Sequence, residues 1–134
     1  MMRIQVYVQQ KKADPLYRKA MEEYLKRLGA YASVSVTYLK NEKQMQKKAA
    51  GSRKKFFVAC GKKTMTSPEF AREIENLSVR GASSIDFFIG EQPEEDMEVF
   101  RISSFTMDSS LTAAVLLEQI YRAYRIIHHQ AYHK

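Results

Sequence analysis

Short apolar segments alternate along this chain with segments that carry helix-start signals, and this order constrains the fold more than any other feature. Residues 3–9 and 33–39 alternate apolar and polar side chains, which is typical of half-buried strands. Residues 55–60 and 84–90 are denser apolar runs, typical of strands covered on both faces. A fifth strand is expected at roughly residues 99–103.

Three helices are predicted between and after these strands. Asp14 and Pro15 supply an N-cap and a first-turn proline for a helix that Gly29 stops. A second helix begins at Ser67 and ends near Gly81. A long third helix runs from about Leu111 to His128. The apolar positions expected to define the first two helices are Leu16, Ala20, Tyr24 and Leu28, then Phe70, Ile74 and Leu77.

Residues 41–52 are polar and rich in lysine, so we expect them to be helical or loose and to contribute little core. Strands that alternate with helices indicate parallel pairing with helices on both faces of the sheet. The 134 residues suit one compact domain. We therefore predict a single α/β domain over residues 1–134.

The net charge of +7 is unevenly distributed. Residues 1–63 carry 16 basic and 4 acidic side chains, whereas residues 64–134 carry 6 and 11. Phosphate binding with release of counterions is the favoured explanation, and solubility is the alternative. The basic clusters are Lys11-Lys12, Lys47-Lys48, Arg53-Lys54-Lys55 and Lys62-Lys63.

The single cysteine, Cys60, excludes an internal disulfide, and we expect it to be a small buried residue at a strand end. His128, His129 and His133 lack companion ligands at metal-binding spacing, so no metal site is expected. No segment approaches the roughly 20 apolar residues of a membrane span, and the first residues lack a secretory signal. A cytoplasmic protein without a membrane partner is the expectation.

The last helix has an unusually narrow polar stripe. Glu118, Arg122, Arg125 and His129 follow one another at spacings of four, three and four, and the remaining positions are largely apolar. One apolar side can cover the sheet, and the second flank then needs cover from another chain. A homodimer is therefore predicted.

Several motifs together resemble one known family. They are FFIG at 87–90, Pro93-Glu94, ISSFTM at 102–107, LLEQIYRAYRI at 116–126 and the terminal YHK. In this order they resemble the small knotted methyltransferases of the SPOUT class that methylate a pseudouridine at N3 in large-subunit ribosomal RNA. The resemblance covers almost the whole chain. It implies a C-terminal trefoil knot, a homodimer, S-adenosylmethionine as the cofactor, and ribosomal RNA or the ribosome as partner.

The resemblance also implies roles for individual residues. Tyr132 and His133 would contact the target base from the tail of the partner subunit, and His133 could assist removal of the N3 proton. His128 and His129 are interpreted as ordinary helix C-terminal residues. Arg122 and Arg125 could contact phosphate or pair with Glu118, the latter being favoured for Arg125. The implied cofactor contacts are Ala59, Cys60, Gly90, Glu91, Ser103, Ser104, Phe105, Thr106, Met107 and Asp108; the implied RNA contacts are Arg122, Lys134, Arg53, Lys54 and Lys55.

The chain departs from the family pattern at the cofactor loops. Glu91 and Glu95 stand in a loop where members usually carry glycines, and Glu91 is expected either to hinder the cofactor or to face its sulfonium. Asp108-Ser109 stands where a Pro-His pair is usual, and Ala113 where an arginine is expected. The expected function is ribosomal RNA methylation. The alternatives are a catalytically degenerate homodimer that binds RNA or the ribosome, and a structural homodimer whose lysines only confer solubility.

Overall fold

The computed structural model describes all residues, Met1–Lys134, as five strands and four helices. The predicted alternation of strands and helices is confirmed. Each helix but the third begins with a side-chain cap from Asp or Asn; the third has a capping box between Thr66 and Glu69. The elements are β1 (Met2–Gln9), α1 (Pro15–Leu28), β2 (Ala32–Leu39), α2 (Glu42–Ala50), β3 (Lys55–Cys60), α3 (Ser67–Val79), β4 (Ser84–Ile89), β5 (Glu98–Ser103) and α4 (Ser109–Ile127).

All five strands form one parallel sheet in the order β2-β1-β4-β3-β5. The apolar runs of β3 and β4 occupy interior positions of this sheet, as the sequence predicted for strands covered on both faces. The parallel α/β fold class is confirmed. The carboxyl ends of the strands meet at one edge, where the loops that connect to the helices gather.

Helices cover both faces of the sheet unequally. The larger core contains Val6, Phe87 and Phe100 from the strands and residues of α1, α3 and α4. The smaller core lies on the opposite face, where α2 packs against Phe57 and Phe88. Three helices therefore lie on one face and one helix on the other.

Two expectations about packing are wrong. The lysine-rich segment is not marginal to the core, because Met45 and Ala49 of α2 have no exposed surface. In α1 the buried residues are Met21 and Leu28, whereas Leu16 is 79% exposed. Leu28 is buried as helical spacing predicted, whereas Met21 of α1 and Met45 and Ala49 of α2 are buried residues that the spacing did not single out.

Helix α4 packs along the sheet between α1 and α3. Its fully buried positions include Leu116, Leu117 and Ile120, whereas Tyr121 and Ile126 remain half-buried. Part of the second apolar flank is thus covered within the chain, which the sequence argument for a second copy did not consider. No helix in the structure combines the length and apolar character needed to cross a membrane.

Candidate functional site

The sheet divides at the carboxyl end of its two central strands. β3 and β4 pair only from Lys55 with Asp86 to Phe57 with Phe88. Beyond this point β3 continues along β5 to Cys60, and β4 continues along β1 to Ile89. Because the two strands no longer pair with each other, a crevice opens between their ends, at the edge where parallel α/β sheets bind ligands.

A hollow of about 280 Å³ occupies this crevice, close to the lower end of the range for small-molecule sites, about 300–1,000 Å³. Its walls come from the ends of β3 and β4, from the loop after β5 and from the first turn of α4. No charged side chain belongs to the lining. The lining residues are Phe57, Val58, Ala59, Cys60, Ile89, Gly90, Thr106, Met107, Ser109 and Thr112.

Half of the cofactor contacts expected from the sequence line this hollow. They are Ala59, Cys60, Gly90, Thr106 and Met107. Cys60 does end β3 as expected, but it is half-buried at the wall of the hollow and not enclosed in the core.

The other expected contacts lie around the hollow without lining it. The Ser103 carbonyl accepts a hydrogen bond from the Gly61 N–H over 2.8 Å, and the Asp108 carboxylate caps α4 by accepting from the Leu111 N–H over 2.8 Å. Phe105 is 82% exposed, and Ser104 is exposed as well. The structure therefore places these residues between the end of β5 and the start of α4, around the hollow.

The cofactor contacts expected from the sequence omit five lining residues, namely Phe57, Val58, Ile89, Ser109 and Thr112; Ser109 was noted only as a departure from the family pattern. Val58 and Ile89 directly precede residues that were named, and Phe57 directly precedes Val58, so the strand ends were located correctly and the strand residues just before them were not. Thr112 is buried, and its hydroxyl donates to the Asp108 carbonyl over 2.7 Å. A polar residue in the first turn of a helix that follows a strand end was the available signal.

Gly90 turns the chain away from the sheet directly after β4. Its φ of +133° is a conformation that favours glycine, and a Cβ at this position would lie 2.5 Å from Cβ of Gln9. The next residue, Glu91, donates its backbone N–H to Oε1 of Gln9 over 2.8 Å. The side chain of Glu91 is exposed and does not belong to the lining of the hollow.

Glu95, the second acidic residue that departs from the family pattern, also lies outside the lining of the hollow. One of its oxygens lies 3.5 Å from Nζ of Lys55, and the other accepts from the side-chain amide of Gln46 over 3.5 Å. Ala113 is 1% exposed, so a long cationic side chain has no room at this position. These departures shape the loop and the start of α4 and do not fill the hollow.

The proposed RNA-binding cluster at the start of β3 is partly neutralised within the chain. Lys54 Nζ lies 2.6 Å from a carboxylate oxygen of Glu98. Lys55 pairs with Glu95 and also donates to the Ala49 carbonyl over 2.7 Å. Arg53 is exposed and forms no ion pair.

The C-terminal tail folds back onto α4 of its own chain. The Tyr132 hydroxyl donates to Oε2 of Glu118 over 2.9 Å, and Arg122 pairs with the same carboxylate at 3.1 Å. The Arg122 guanidinium also lies 4.7 Å from the centroid of the Tyr132 ring. Burial, followed by hydrogen bonds that the phenol donates to Tyr24 and Glu118, raises the pKa of Tyr132 far above its ordinary value. This phenol is therefore a hydrogen-bond donor at neutral pH.

The rest of the tail is held by the same helix. Nη1 of Arg122 lies 3.2 Å from Nδ1 of His133, and Nη2 of Arg125 donates to the Ala131 carbonyl over 3.1 Å. The expected structural role of Arg125 is present, but its partners are Ala131 and the Tyr31 hydroxyl, not Glu118. Lys134, which follows His133, is exposed.

The tail and the hollow of one chain lie at different positions along α4. Thr112 lines the hollow and Arg122 holds the tail, and at about 1.5 Å per residue they are roughly 15 Å apart along the helix. The structure of one chain therefore does not bring Tyr132 and His133 together with the hollow.

The other histidines terminate α4. His128 is its C-cap residue, as expected, and His129 follows with a positive φ of 54°. Both residues are exposed. No group of three or more His, Cys, Asp or Glu side chains in the chain could hold a metal ion.

The chain has relatives among known proteins. A family model described as "Predicted SPOUT methyltransferase" matches residues 2–133. A "Ribosomal RNA large subunit methyltransferase H 1" from Thermoanaerobacter sp. (strain X514) is 32% identical over 133 residues, covering 99% of this chain and all of the relative. "Ribosomal RNA large subunit methyltransferase H" from Clostridium beijerinckii is 36% identical over 143 residues, covering 87% and 90%. The protein of the same name from Exiguobacterium sibiricum is 31% identical over 159 residues, covering 99% and 100%.

The family resemblance expected from the C-terminal motifs is confirmed by these matches, which extend over nearly the full length of both chains. The parallel sheet and the crevice between β3 and β4 agree with it. The chain belongs to the SPOUT methyltransferase family.

Proposed function

We propose that this protein transfers a methyl group from S-adenosylmethionine to N3 of a pseudouridine in large-subunit ribosomal RNA, and that it does so in the cytoplasm. The observation that carries the proposal is the uncharged hollow at the point where β3 and β4 separate. Family membership and the names of the full-length relatives support ribosomal RNA as the substrate.

The residues at the hollow fit the proposed methyl donor. S-adenosylmethionine carries a sulfonium cation, and no lysine or arginine in the lining would repel it. Val58, Ala59 and Cys60 face the crevice on a strand edge without a β4 partner, so their backbone groups can recognise an adenine edge. The proposed donor contacts in the wall of the hollow are Ala59, Cys60, Gly90, Thr106 and Met107, and those around it are Glu91, Ser103, Ser104, Phe105 and Asp108.

The donor, when bound, supplies an electrophilic methyl group. The contribution of the protein is then largely to align the base nitrogen with the methyl carbon. Holding the reactants in the right orientation can lower the activation free energy by roughly 7–11 kcal/mol. Gly90 and the first turn of α4 form fixed walls for this alignment. Tyr132 and His133 are the proposed contacts for the target base.

A homodimer is part of the proposal, because one chain leaves its tail about 15 Å along α4 from its own hollow. A second copy that docks on α4 would bring the tail of one subunit to the hollow of the other. Half-buried Tyr121, Ile126 and Ile127 offer apolar surface for this contact. The proposal also includes a trefoil knot in the C-terminal part of the chain, by analogy with the family.

Phosphate contacts are proposed at Arg53 and Lys134, which are exposed and form no ion pair. Lys54, Lys55 and Arg122 also belong to the proposed surface, but each already has an acidic partner in the chain. Their contribution to RNA binding is therefore expected to be smaller.

A non-catalytic, ribosome-binding homodimer is the competing function. Two observations favour methyl transfer. The acidic residues that raised the question, Glu91 and Glu95, lie outside the lining of the hollow. The curated relatives that cover nearly the whole chain carry methyltransferase names.

Labelled methyl transfer tests the proposal. The protein is incubated with radiolabelled S-adenosylmethionine and large ribosomal subunits that lack the modification, and the labelled nucleotide is located by nuclease digestion and mass spectrometry. Label on N3 of one pseudouridine is the expected result. Ribosome binding without label would instead establish the non-catalytic alternative, and the absence of both would favour a structural homodimer.

A further inference from the structure

We propose that His133 acts as a hydrogen-bond donor through Nε2–H to a carbonyl oxygen of the target base, and that Arg122 is the positioning residue that fixes this tautomer. This inference rests on the proposed methylation of a uracil-type base. It differs from the base role that the family resemblance left open for His133, in which the imidazole assists removal of the N3 proton.

The tautomer follows from the contact between the two side chains. Nη1 of Arg122 lies 3.2 Å from Nδ1 of His133. A guanidinium has only N–H donors, so Nδ1 must accept the hydrogen bond with its lone pair. The imidazole is then neutral and carries its single proton on Nε2.

Arg122 is itself held in place. Its Nη2 lies 3.1 Å from Oε2 of Glu118 and its Nε donates to Oε1 of Glu118 over 3.4 Å. The ring of Tyr132 lies against the guanidinium, and the Tyr132 hydroxyl donates to Oε2 of Glu118 over 2.9 Å. These contacts fix the orientation in which the guanidinium presents Nη1 to His133.

The hydrogen bond to Arg122 uses the one lone pair of the ring, which is the lone pair of Nδ1. The acidic group of this network, Glu118, already accepts from Arg122 and Tyr132. The Tyr132 phenol is neutral at pH 7, because its ordinary pKa is 10.0 and burial raises it further. The contact with Arg122 therefore leaves Nε2 as the nitrogen that carries the N–H, and His133 is exposed.

Such an N–H suits the chemistry of a uracil-type base. N3 lies between two carbonyl carbons, so loss of its proton spreads negative charge onto both oxygens. In the transfer, the bond from sulfur to the methyl carbon breaks, the bond from N3 to that carbon forms, the N3 proton goes to solvent water, and sulfur leaves as a neutral thioether. A donor placed at one carbonyl oxygen stabilises the developing charge, and removal of one such donor typically costs about 10²–10³ in rate.

The tautomer is tested on the protein alone by long-range nitrogen–proton NMR of the imidazole rings at neutral pH. His133→Gln assigns the signal. The wild-type protein should show the neutral Nε2–H form only, Arg122→Lys should keep it because an ammonium still donates, and Arg122→Met should give a mixture of both neutral tautomers. A charged ring or a proton on Nδ1 in the wild type would overturn the proposal.

The role of the donor is tested by methyl transfer with position 133 varied. Glutamine retains an N–H donor and is a very poor base, so His133→Gln should stay within about tenfold of the wild-type rate while His133→Ala falls by about 10²–10³. Equal losses in the two variants would overturn the donor role. If the wild type itself transfers no methyl group, the proposed function fails, and the NMR result still decides the tautomer.

Discussion

The backbone N–H of Glu91 donates to Oε1 of Gln9 over 2.8 Å, which ties the loop after β4 to the end of β1. Gly90 makes this contact possible, because its φ is +133° and a Cβ there would lie 2.5 Å from Cβ of Gln9. Gly90→Ala is therefore expected to lower the free energy of unfolding by about 2–4 kcal/mol, through strain and a forced shift of the loop. Urea unfolding measures this change.

Gly81→Ala is the matched control for that substitution. Gly81 also has a positive φ, +92°, but nothing lies within 4 Å of a Cβ built there. Its cost should be limited to backbone strain of about 1–2 kcal/mol. Equal losses for the two variants would show that the contact with Gln9 does not constrain the loop.

Substitution of Glu91 separates the two roles that the sequence left open for it. Its side chain is exposed and outside the lining of the hollow, so Glu91→Gly should change the affinity for S-adenosylmethionine by no more than about twofold. Calorimetry measures the affinity. A tenfold rise would identify an obstructing side chain, whereas a tenfold fall shared by Glu91→Gln would identify a carboxylate that faces the sulfonium.

The adjacent cations Arg53 and Lys54 should contribute differently to RNA binding. Each free cation that contacts a phosphate adds about 0.7–0.9 to the slope of log affinity against log salt concentration. Arg53→Ala should reduce the slope by about this amount, and Lys54→Ala by less, because Glu98 lies 2.6 Å from the Lys54 ammonium. Filter binding of ribosomal RNA across a salt series gives both slopes. Identical slopes for the two variants would contradict this distinction.

The raised pKa of Tyr132 predicts that the free energy of unfolding falls at alkaline pH. Burial, with hydrogen bonds donated to Tyr24 and Glu118, raises the pKa of Tyr132 above the ordinary 10.0. Above about pH 10 the unfolded chain releases this proton while the folded chain keeps it, so the free energy of unfolding falls as pH rises. Urea unfolding between about pH 8 and 11 should show a shallower decline in Tyr132→Phe than in the wild type. The same decline in both would rule out this contribution.

The sheet could be predicted from the sequence because its strands are marked locally. Residues 55–60 and 84–89 are apolar enough to indicate interior strands, and Asp14 and Ser67 lie at clear helix starts. The role of α2 could not be predicted, because its contribution depends on only Met45 and Ala49 within a lysine-rich segment. The polar composition of the segment predicted little burial, whereas Met45 and Ala49 are buried because α2 packs against the sheet.

The site was only partly predictable for a related reason. Ala59 and Gly90 follow from motifs at strand ends, and both line the hollow. The ion pairs of Lys54 and Lys55 join residues about 40 positions apart, so the exposed cations could not be told from the neutralised ones. The attachment of the tail likewise depends on how Tyr132 folds back onto Glu118, which helical spacing does not encode.

The central claim is that the hollow between β3 and β4 binds the methyl donor, and calorimetric titration with S-adenosylmethionine tests it most directly. Thr106 is an exposed residue at the hollow, and Thr64 is an exposed threonine outside its lining, so the two provide a matched pair. The wild type and Thr64→Trp should bind the donor with equal affinity, and Thr106→Trp should lose binding by at least about tenfold, because the indole fills the entrance. Absence of binding in the wild type, or unchanged binding in Thr106→Trp, would contradict the account.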